Sequence, residues 1–337
     1  IKERDYEKTK QKMCEILRNI YIKFSYIKQS ARLTDADRVY YDRMLVEDIR
    51  ETDATSSLYQ LSDFLYRYYG KKVIILLDEY DTPMQEAFVD GYWEELVAFT
   101  RSLFNSTFKT NPALERGIMT GITRASKESI FSDLNNLEVV TTTSDKYATT
   151  FGFTESEVFH ALEECGLESE KNEVKRWYDG FIFGKQKDMY NPWSICNYMR
   201  SGELQSYWIN TSSNKLIGEI IRRHPVRSKH EIEQLMAGEI IHKEINENVT
   251  FQYLDGDENS LWSLFLAVGY IKAENVVKQG ESTWCDMSVT NREVMGMFRY
   301  EILAMFENGN AVYNDFTKAL LSHRMEDLND ILLDIAY

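Results

Sequence analysis

The sequence contains few of the residues that mark linkers, disulfides or metal sites. Its four prolines argue against long linkers in a chain of 337 residues. The four cysteines, Cys14, Cys165, Cys196 and Cys285, are scattered and form no C-x-x-C pair. This usage is typical of free thiols in a reducing compartment and predicts a cytoplasmic protein. The five histidines show no spacing typical of metal ligands or of a nucleophile pair, so each is interpreted as structural or exposed.

Long apolar runs and positive charge are also scarce. No stretch approaches the roughly 18–20 apolar residues that a membrane-spanning helix needs, so no membrane partner is expected. A net charge of −15 disfavours broad contact with a nucleic-acid backbone. The basic cluster at residues 222–230 is interpreted as part of a solvated loop. A local binding patch for phosphate groups is the alternative interpretation. A hydrophobic content of 43% is enough for sizeable cores, and the length predicts two or three domains.

The most informative stretch is an apolar run that ends in two acids. Residues 73–79 read Val-Ile-Ile-Leu-Leu-Asp-Glu. The unbroken run predicts a fully buried strand of a parallel sheet. Asp78 and Glu79 follow its carboxyl end, where open α/β sheets bind ligands. This is the Walker B pattern of P-loop ATPases, in which Asp78 would hold Mg²⁺ through water and Glu79 would orient or deprotonate the attacking water. A buried strand that merely ends in solvated acids is the plainer alternative.

The phosphate-binding loop that accompanies such a strand is missing. A Walker A loop follows the pattern G-x-x-x-x-G-K-[ST], whose backbone N–H groups surround the phosphates. No stretch of the chain fits this pattern. The nearest, residues 180–186, has one spacer too few and carries Gln186 where a hydroxyl should reach Mg²⁺. The chain starts at Ile1 and an amphipathic helix begins almost at once. We therefore expect the first strand and the phosphate loop to lie upstream.

The apolar spacing predicts an α/β fold with part of a P-loop NTPase-type parallel sheet, a helical segment and a winged-helix-like module. Helices are predicted at 5–27, 55–69 and 91–109, and strands at 73–77 and 117–122. A strand, a helix and a parallel strand in this order form a right-handed βαβ crossover with helices on both faces of the sheet. The predicted domains are a P-loop ATPase-like core lacking its first strands at 1–150, a helical and aromatic-rich lid segment at 151–225, a winged-helix-like module at 226–300 and a helical linker at 301–337.

Several strings in a constant order resemble one family. They are Leu77-Asp78-Glu79-Tyr80-Asp81-Thr82-Pro83 and the motifs within 120–136, 147–154, 177–194 and 207–214. On these strings the chain resembles the bacterial and archaeal AAA-ATPase-like proteins, which carry an N-terminal P-loop ATPase module and a C-terminal PD-(D/E)XK nuclease-like domain. The resemblance covers roughly residues 70–215. It implies that the phosphate loop precedes Ile1 and that the nuclease-like domain begins after Tyr337.

Four further residues are predicted to contribute to the site. Arg124 follows the second strand, where a guanidinium could stabilise charge on the γ-phosphate or reach a neighbouring subunit's nucleotide. Its alternative is an ion pair with a nearby acid. Thr120 and Thr123 are candidates for the polar contact that senses the γ-phosphate or the attacking water. Asp81 is a candidate for supporting the cofactor site, with a helix or turn cap as the alternative.

The predicted function is an ATP-binding and ATP-hydrolysing AAA-like module, used as a switch for an attached effector domain, with ATP and Mg²⁺ as cofactors. The alternative is a non-catalytic NTPase-fold scaffold for protein–protein contact. A nuclease activity of these residues is rejected, because Asp78 and Glu79 lack the following x-Lys of PD-(D/E)XK sites. Nucleic acid is expected to bind only to the nuclease-like C-terminal domain, which these residues do not include. Assembly into a homo-oligomer is a further possibility that the sequence does not decide.

Overall fold

The computed structural model describes residues 1–122, 131, 134, 137–209, 226–246, 258–280, 282–304 and 316–336. They fall into two compact units. Unit 1 comprises Ile1–Val139 with Asn246–Leu264, and unit 2 comprises Val140–Ile245 with Phe265–Tyr337. Helices combine with one small parallel sheet and two antiparallel sheets, so the α/β class is confirmed. None of the helices in the described ranges has both the length and the apolar character that crossing a bilayer requires.

Residues 1–122 of unit 1 form five helices and two strands, with a short 3-10 helix at Ser25–Gln29. The helices are α1 (Tyr6–Lys23), α2 (Asp35–Arg43), α3 (Glu51–Tyr69), α4 (Thr82–Asp90) and α5 (Trp93–Phe108), and the strands are β1 (Val73–Leu77) and β2 (Leu114–Met119). The helix predicted over 91–109 is confirmed as α5, whereas α4 was not predicted. Gly91, at φ 84°, ends α4 in the left-handed conformation and separates it from α5. The second strand also lies three residues earlier than predicted.

The two strands of unit 1 pair in parallel, as the sequence predicts. Ile75 lies opposite Gly117 and Leu77 opposite Met119. One face of this sheet packs on helices: α3 contacts both β1 and α5. At Gly117 a Cβ atom would lie 2.7 Å from the Phe108 ring of α5, so the helix approaches the sheet closely at this point.

The opposite face of the sheet is exposed in the part of the chain that the structure describes. Ile74, Leu76 and Ile118 are 60%, 73% and 46% exposed. The expectations of a fully buried strand and of helices on both faces are therefore wrong for these residues. Successive side chains of a strand point to opposite faces, and helices α3 and α5 cover only one of them. Parallel sheets are rarely left open in this way.

The rest of the described chain adds six strands and seven helices, a further helical run at 316–321, and a 3-10 helix at Glu168–Glu170. The strands are β3 (Phe153–Thr154), β4 (Phe181–Phe183), β5 (Gln186–Tyr190), β6 (Ile241–Ile245), β7 (Ile271–Gln279) and β8 (Ser282–Val289). The helices are α6 (Glu155–Glu164), α7 (Lys171–Tyr178), α8 (Pro192–Ser201), α9 (Val226–Met236), α10 (Glu258–Val268), α11 (Arg292–Ala304) and α12 (Met325–Ala336). The antiparallel sheets have the orders β3–β5–β4 and β6–β8–β7.

The aromatic-rich segment of unit 2 builds a packed core around the first antiparallel sheet. Tyr178 and Tyr190 are buried together with Val158 and Ile195. The Tyr178 hydroxyl donates to the backbone oxygen of Gln205 at 2.9 Å, which satisfies a polar group that burial would otherwise penalise. The sequence did not predict this sheet, because its strands are short and are flanked by glycines at positive φ.

Candidate functional site

The loops that follow β1 and β2 lie side by side at the carboxyl edge of the parallel sheet. Thr120 N–H donates to the Leu77 oxygen at 2.9 Å, and Tyr80 N–H donates to the Thr120 oxygen at 3.0 Å. Backbone pairing thus continues past both strand ends. It brings Asp78, Glu79 and Thr120 together, although 42 residues separate the first from the last.

The side-chain hydroxyl of Thr120 contacts both acidic residues. It donates a hydrogen bond to Oδ1 of Asp78. The same oxygen accepts the N–H of Glu79 at 3.3 Å. A single hydroxyl therefore connects one strand end to the carboxylate of the first acid and to the main chain of the second.

Glu79 has an unusual backbone conformation. Its φ is 51°, in the left-handed region that a non-glycine residue adopts only at a cost of about 1–2 kcal/mol. The turn is held by Thr82, whose N–H donates to the Glu79 oxygen at 3.2 Å. The Thr82 hydroxyl also approaches Oε2 of Glu79 at 3.4 Å. Strain of this kind accumulates at functional sites, where the surrounding structure maintains it.

The exposure and chemistry of the two acids fit a hydrated magnesium ion. Asp78 and Glu79 are both exposed, so a hydrated ion can approach them from solvent. Carboxylate oxygens are the ligands that Mg²⁺ takes from proteins, and the ion usually keeps several of its waters. Asp78 would thus be able to hold the ion through water, and Glu79 lies beside it.

Asp81 occupies a different environment from the two exposed acids. It is 1% exposed and precedes the first residue of α4, but its side chain forms no capping hydrogen bond. Its Oδ2 accepts from Nε2 of Gln85 at 3.4 Å, and its Oδ1 would lie 2.8 Å from a Cβ atom at Gly121. The carboxylate is therefore packed against the loop after β2. Asp81 is therefore too buried to contact a ligand that approaches from solvent.

The remaining predicted residues, Thr123 and Arg124, lie outside the described ranges. Sequence reasoning did not single out Gly121 or Thr82. A Cβ atom at Gly121 would come within 2.7 Å of the Tyr80 ring, so this position needs glycine. The available signal was a glycine inside the strand predicted at 117–122, which is typical of close backbone approach. For Thr82, the signal was a hydroxyl three residues after Glu79.

A second acidic cluster lies in unit 2 and has a lysine at its centre. Ligand atoms of Glu155, Asp179 and Asp188 lie within 4.8 Å of one another. Nζ of Lys175 contacts Glu155 and lies 3.2 Å from Asp188 and 3.8 Å from Asp179. Burial, with the charge of Asp188 next, raises the pKa of Asp179 to about 6. The hydrogen bond from Lys175 lowers the pKa of Asp188. The ammonium group supplies the positive charge here, and we assign the cluster a structural role.

Comparison with known proteins points to the unit that carries Asp78 and Glu79. Residues 1–131 match the AAA-ATPase_like family model, described as Predicted AAA-ATPase. A curated relative from Azotobacter chroococcum mcd 1, "Uncharacterized protein in vnfD 5'region", is 23% identical over 240 residues. That alignment covers 70% of this chain and 44% of the relative, so the chain spans less than half of the relative's length. No solved structure matches the chain.

The family model that matches describes an ATPase and does not include a nuclease-like domain. The family model includes α1 to α5, both parallel strands and the loops that hold Asp78, Glu79 and Thr120. Over residues 1–131, this chain is therefore similar to the predicted AAA-ATPases.

Proposed function

We propose that this chain is part of an ATP-binding and ATP-hydrolysing module whose reaction centre includes Asp78 and Glu79. The observation that carries the proposal is their position: two exposed carboxylates directly after β1, joined to Thr120 at the end of the adjacent parallel strand β2. This edge is where open α/β sheets bind ligands. The family match over residues 1–131 supports nucleotide and Mg²⁺ as the ligands.

The two acids have different tasks in this proposal. Bound Mg²⁺ would neutralise the charge that develops on the transferred phosphoryl group. Asp78 would hold that ion through water. Glu79 accepts a proton from the attacking water or orients it. The left-handed backbone of Glu79 supports this role, since a glycine would satisfy the turn at lower cost if the side chain had no function.

We further propose that the phosphate loop and its strand come from chain outside these 337 residues. The exposed side chains of Ile74, Leu76 and Ile118 support this, because another layer of the module would bury them. The greater length of the Azotobacter relative is consistent with additional chain.

The finer roles in the module remain proposals. Arg124 would stabilise charge on the γ-phosphate, and Thr123 would contact the phosphate or the water. ATP would act as a switch for an attached, nuclease-like effector domain, which would be the part that contacts nucleic acid. We also propose that α9 to α11 with the β6–β8–β7 sheet form a winged-helix-like module, in which the β7–β8 hairpin is the wing.

The test uses the full-length protein with paired binding and steady-state assays. Glu79→Gln keeps size and hydrogen bonding but removes the base, so ATP should still bind while turnover falls by roughly 10²–10⁴-fold. Asp78→Asn should instead weaken Mg²⁺-dependent nucleotide binding. Glu95→Gln, an exposed glutamate in the first turn of α5, is the matched control and should behave as wild type.

The competing proposal is a non-catalytic scaffold. It is favoured by the exposed apolar sheet face, which would also serve as a protein-binding surface. In that case the full-length protein should lack a G-x-x-x-x-G-K-[ST] loop and should not bind Mg·ATP. Wild-type turnover by Glu79→Gln would refute the catalytic role of the glutamate.

A further inference from the structure

We propose that Thr120 is a positioning residue for both acids, holding the carboxylate of Asp78 and the main chain of Glu79 through one hydroxyl group. This inference rests on the proposed function, because the placement of these acids matters for catalysis only if they act on ATP. It differs from a direct phosphate contact, in which the same hydroxyl would donate to the nucleotide.

The hydrogen-bonding capacity of the hydroxyl favours positioning. A threonine hydroxyl has one proton to donate and two lone pairs that accept. The proton is donated to Oδ1 of Asp78, and one lone pair accepts the Glu79 N–H. Phosphate oxygens that carry no proton only accept hydrogen bonds. Thr120 therefore has nothing to offer a phosphate while it holds Asp78, although its second lone pair can still accept from a water molecule.

The same contacts set the direction of the Glu79 side chain. Glu79 N–H is bound by the Thr120 hydroxyl, and Tyr80 N–H is bound by the Thr120 backbone oxygen. Two consecutive amides are thus fixed by one residue of the neighbouring strand end. This pairing helps to maintain the left-handed φ of Glu79, which orients its carboxylate. Loss of the hydroxyl should release the first amide and leave the second in place.

Two substitutions separate the hydroxyl from the rest of the side chain. Thr120→Val keeps the shape and the β-branch but removes both hydrogen bonds of the hydroxyl. Thr120→Ser keeps the hydroxyl and removes only the methyl group. The Thr120 backbone oxygen is unchanged in both variants. The Tyr80 amide therefore serves as an internal control for intact pairing of the two loops.

The first measurement is amide hydrogen exchange by NMR on residues 1–337 without nucleotide. In Thr120→Val the Glu79 amide should exchange about 2- to 10-fold faster, as expected for loss of one hydrogen bond. The Tyr80 amide should keep its wild-type rate, and Thr120→Ser should match wild type at both. An unchanged Glu79 rate in Thr120→Val would overturn the proposal.

The second measurement is ATP turnover by the full-length protein. Misplacement of the acids should lower kcat of Thr120→Val by about 10- to 100-fold. KM for ATP should stay within about threefold, because ground-state binding is retained. Thr120→Ser should recover most of the rate, which a role in packing alone would not require. A raised KM with unchanged kcat would overturn the proposal in favour of a direct substrate contact.

The two proposals can fail separately. If the wild-type full-length protein hydrolyses no ATP, the proposed function fails, and the catalytic role of Thr120 fails with it whatever the exchange rates show. If wild type is active and Glu79→Gln is not, while Thr120→Val has the wild-type kcat, only the positioning role of Thr120 fails.

Discussion

At the scale of single residues, Glu79 combines a backbone cost with an exposed, charged side chain. Its φ of 51° favours glycine, yet the position carries glutamate. The neighbouring Thr82 and Thr120 hold the turn through hydrogen bonds to the Glu79 backbone. A residue that is costly to the fold and is held by its neighbours is typical of a position kept for function.

This backbone cost predicts a stability change that separates fold from function. Glu79→Gly should be more stable than Glu79→Ala by about 1 kcal/mol, because glycine adopts the left-handed conformation without the Cβ clash. Both variants should lose ATP turnover in the full-length protein. Urea unfolding of residues 1–337 measures the stability difference. Equal stability of the two variants would show that the turn is not strained in solution.

At the scale of secondary-structure elements, the lysine-centred cluster ties the start of α6 to α7 and β5. Lys175 is placed between Glu155, Asp179 and Asp188, and Asp179 is the most buried of the three acids. Burial favours the protonated form of Asp179, whereas the hydrogen bond from Lys175 favours the charged form of Asp188. The two aspartates should therefore affect the pH dependence of stability in opposite directions.

Asp179 should make unit 2 less stable as pH rises through about 6. Its pKa is about 6 when folded and 3.8 in the reference state, so the folded protein binds the proton more tightly. The stabilisation is complete below pH 4 and is lost as pH rises, by at most about 3 kcal/mol. Asp179→Asn should remove this loss, so its stability relative to wild type should be greater at pH 7.5 than at pH 4.5.

Urea unfolding at the two pH values provides the measurement, and Asp188→Asn is the matched control. The folded-state pKa of Asp188 is lowered, so its contribution is present above its unfolded pKa and is lost as pH falls. Both pH values lie above the unfolded pKa of 3.8, so Asp188→Asn should destabilise the protein by about the same amount at pH 4.5 and at pH 7.5. The same pH response from both variants would contradict the assignment of the buried proton to Asp179.

At the scale of the whole molecule, unit 1 contains the proposed reaction-centre acids but no phosphate loop of the Walker A pattern in its sequence. Backbone N–H groups of such a loop supply most of the contacts to nucleotide phosphates. The apolar side chains of Ile74 and Leu76 are exposed next to the same loops. Unit 1 thus contains part of the surface that the proposed reaction requires.

Residues 1–337 alone should therefore bind Mg·ATP weakly. The expected calorimetric result at micromolar protein and nucleotide concentrations is no measurable binding heat, because the main phosphate contacts are missing. The full-length protein, measured under the same conditions, is the control and should bind. Micromolar affinity of residues 1–337 would contradict this expectation and would require another phosphate-binding site within them.

Local patterns were sufficient for much of the fold. Apolar spacing predicted α3 and α5 within a few residues of their ends, because this signal depends on neighbours within one or two helical turns. The apolar run before Asp78 predicted β1, and the intervening helical pattern predicted its parallel partner. The Asp-Glu pair at the strand end was likewise visible as a local pattern.

Tertiary structure decided what those local patterns leave open. An apolar run does not say how many layers cover a strand, and in the described chain Leu76 faces solvent while Ile75 faces α3 and α5. Nor could spacing reveal that the Thr120 hydroxyl binds both acids, or that Asp81 is buried while Asp78 is exposed. These properties depend on contacts between strand ends about 40 residues apart, which form only when the sheet pairs.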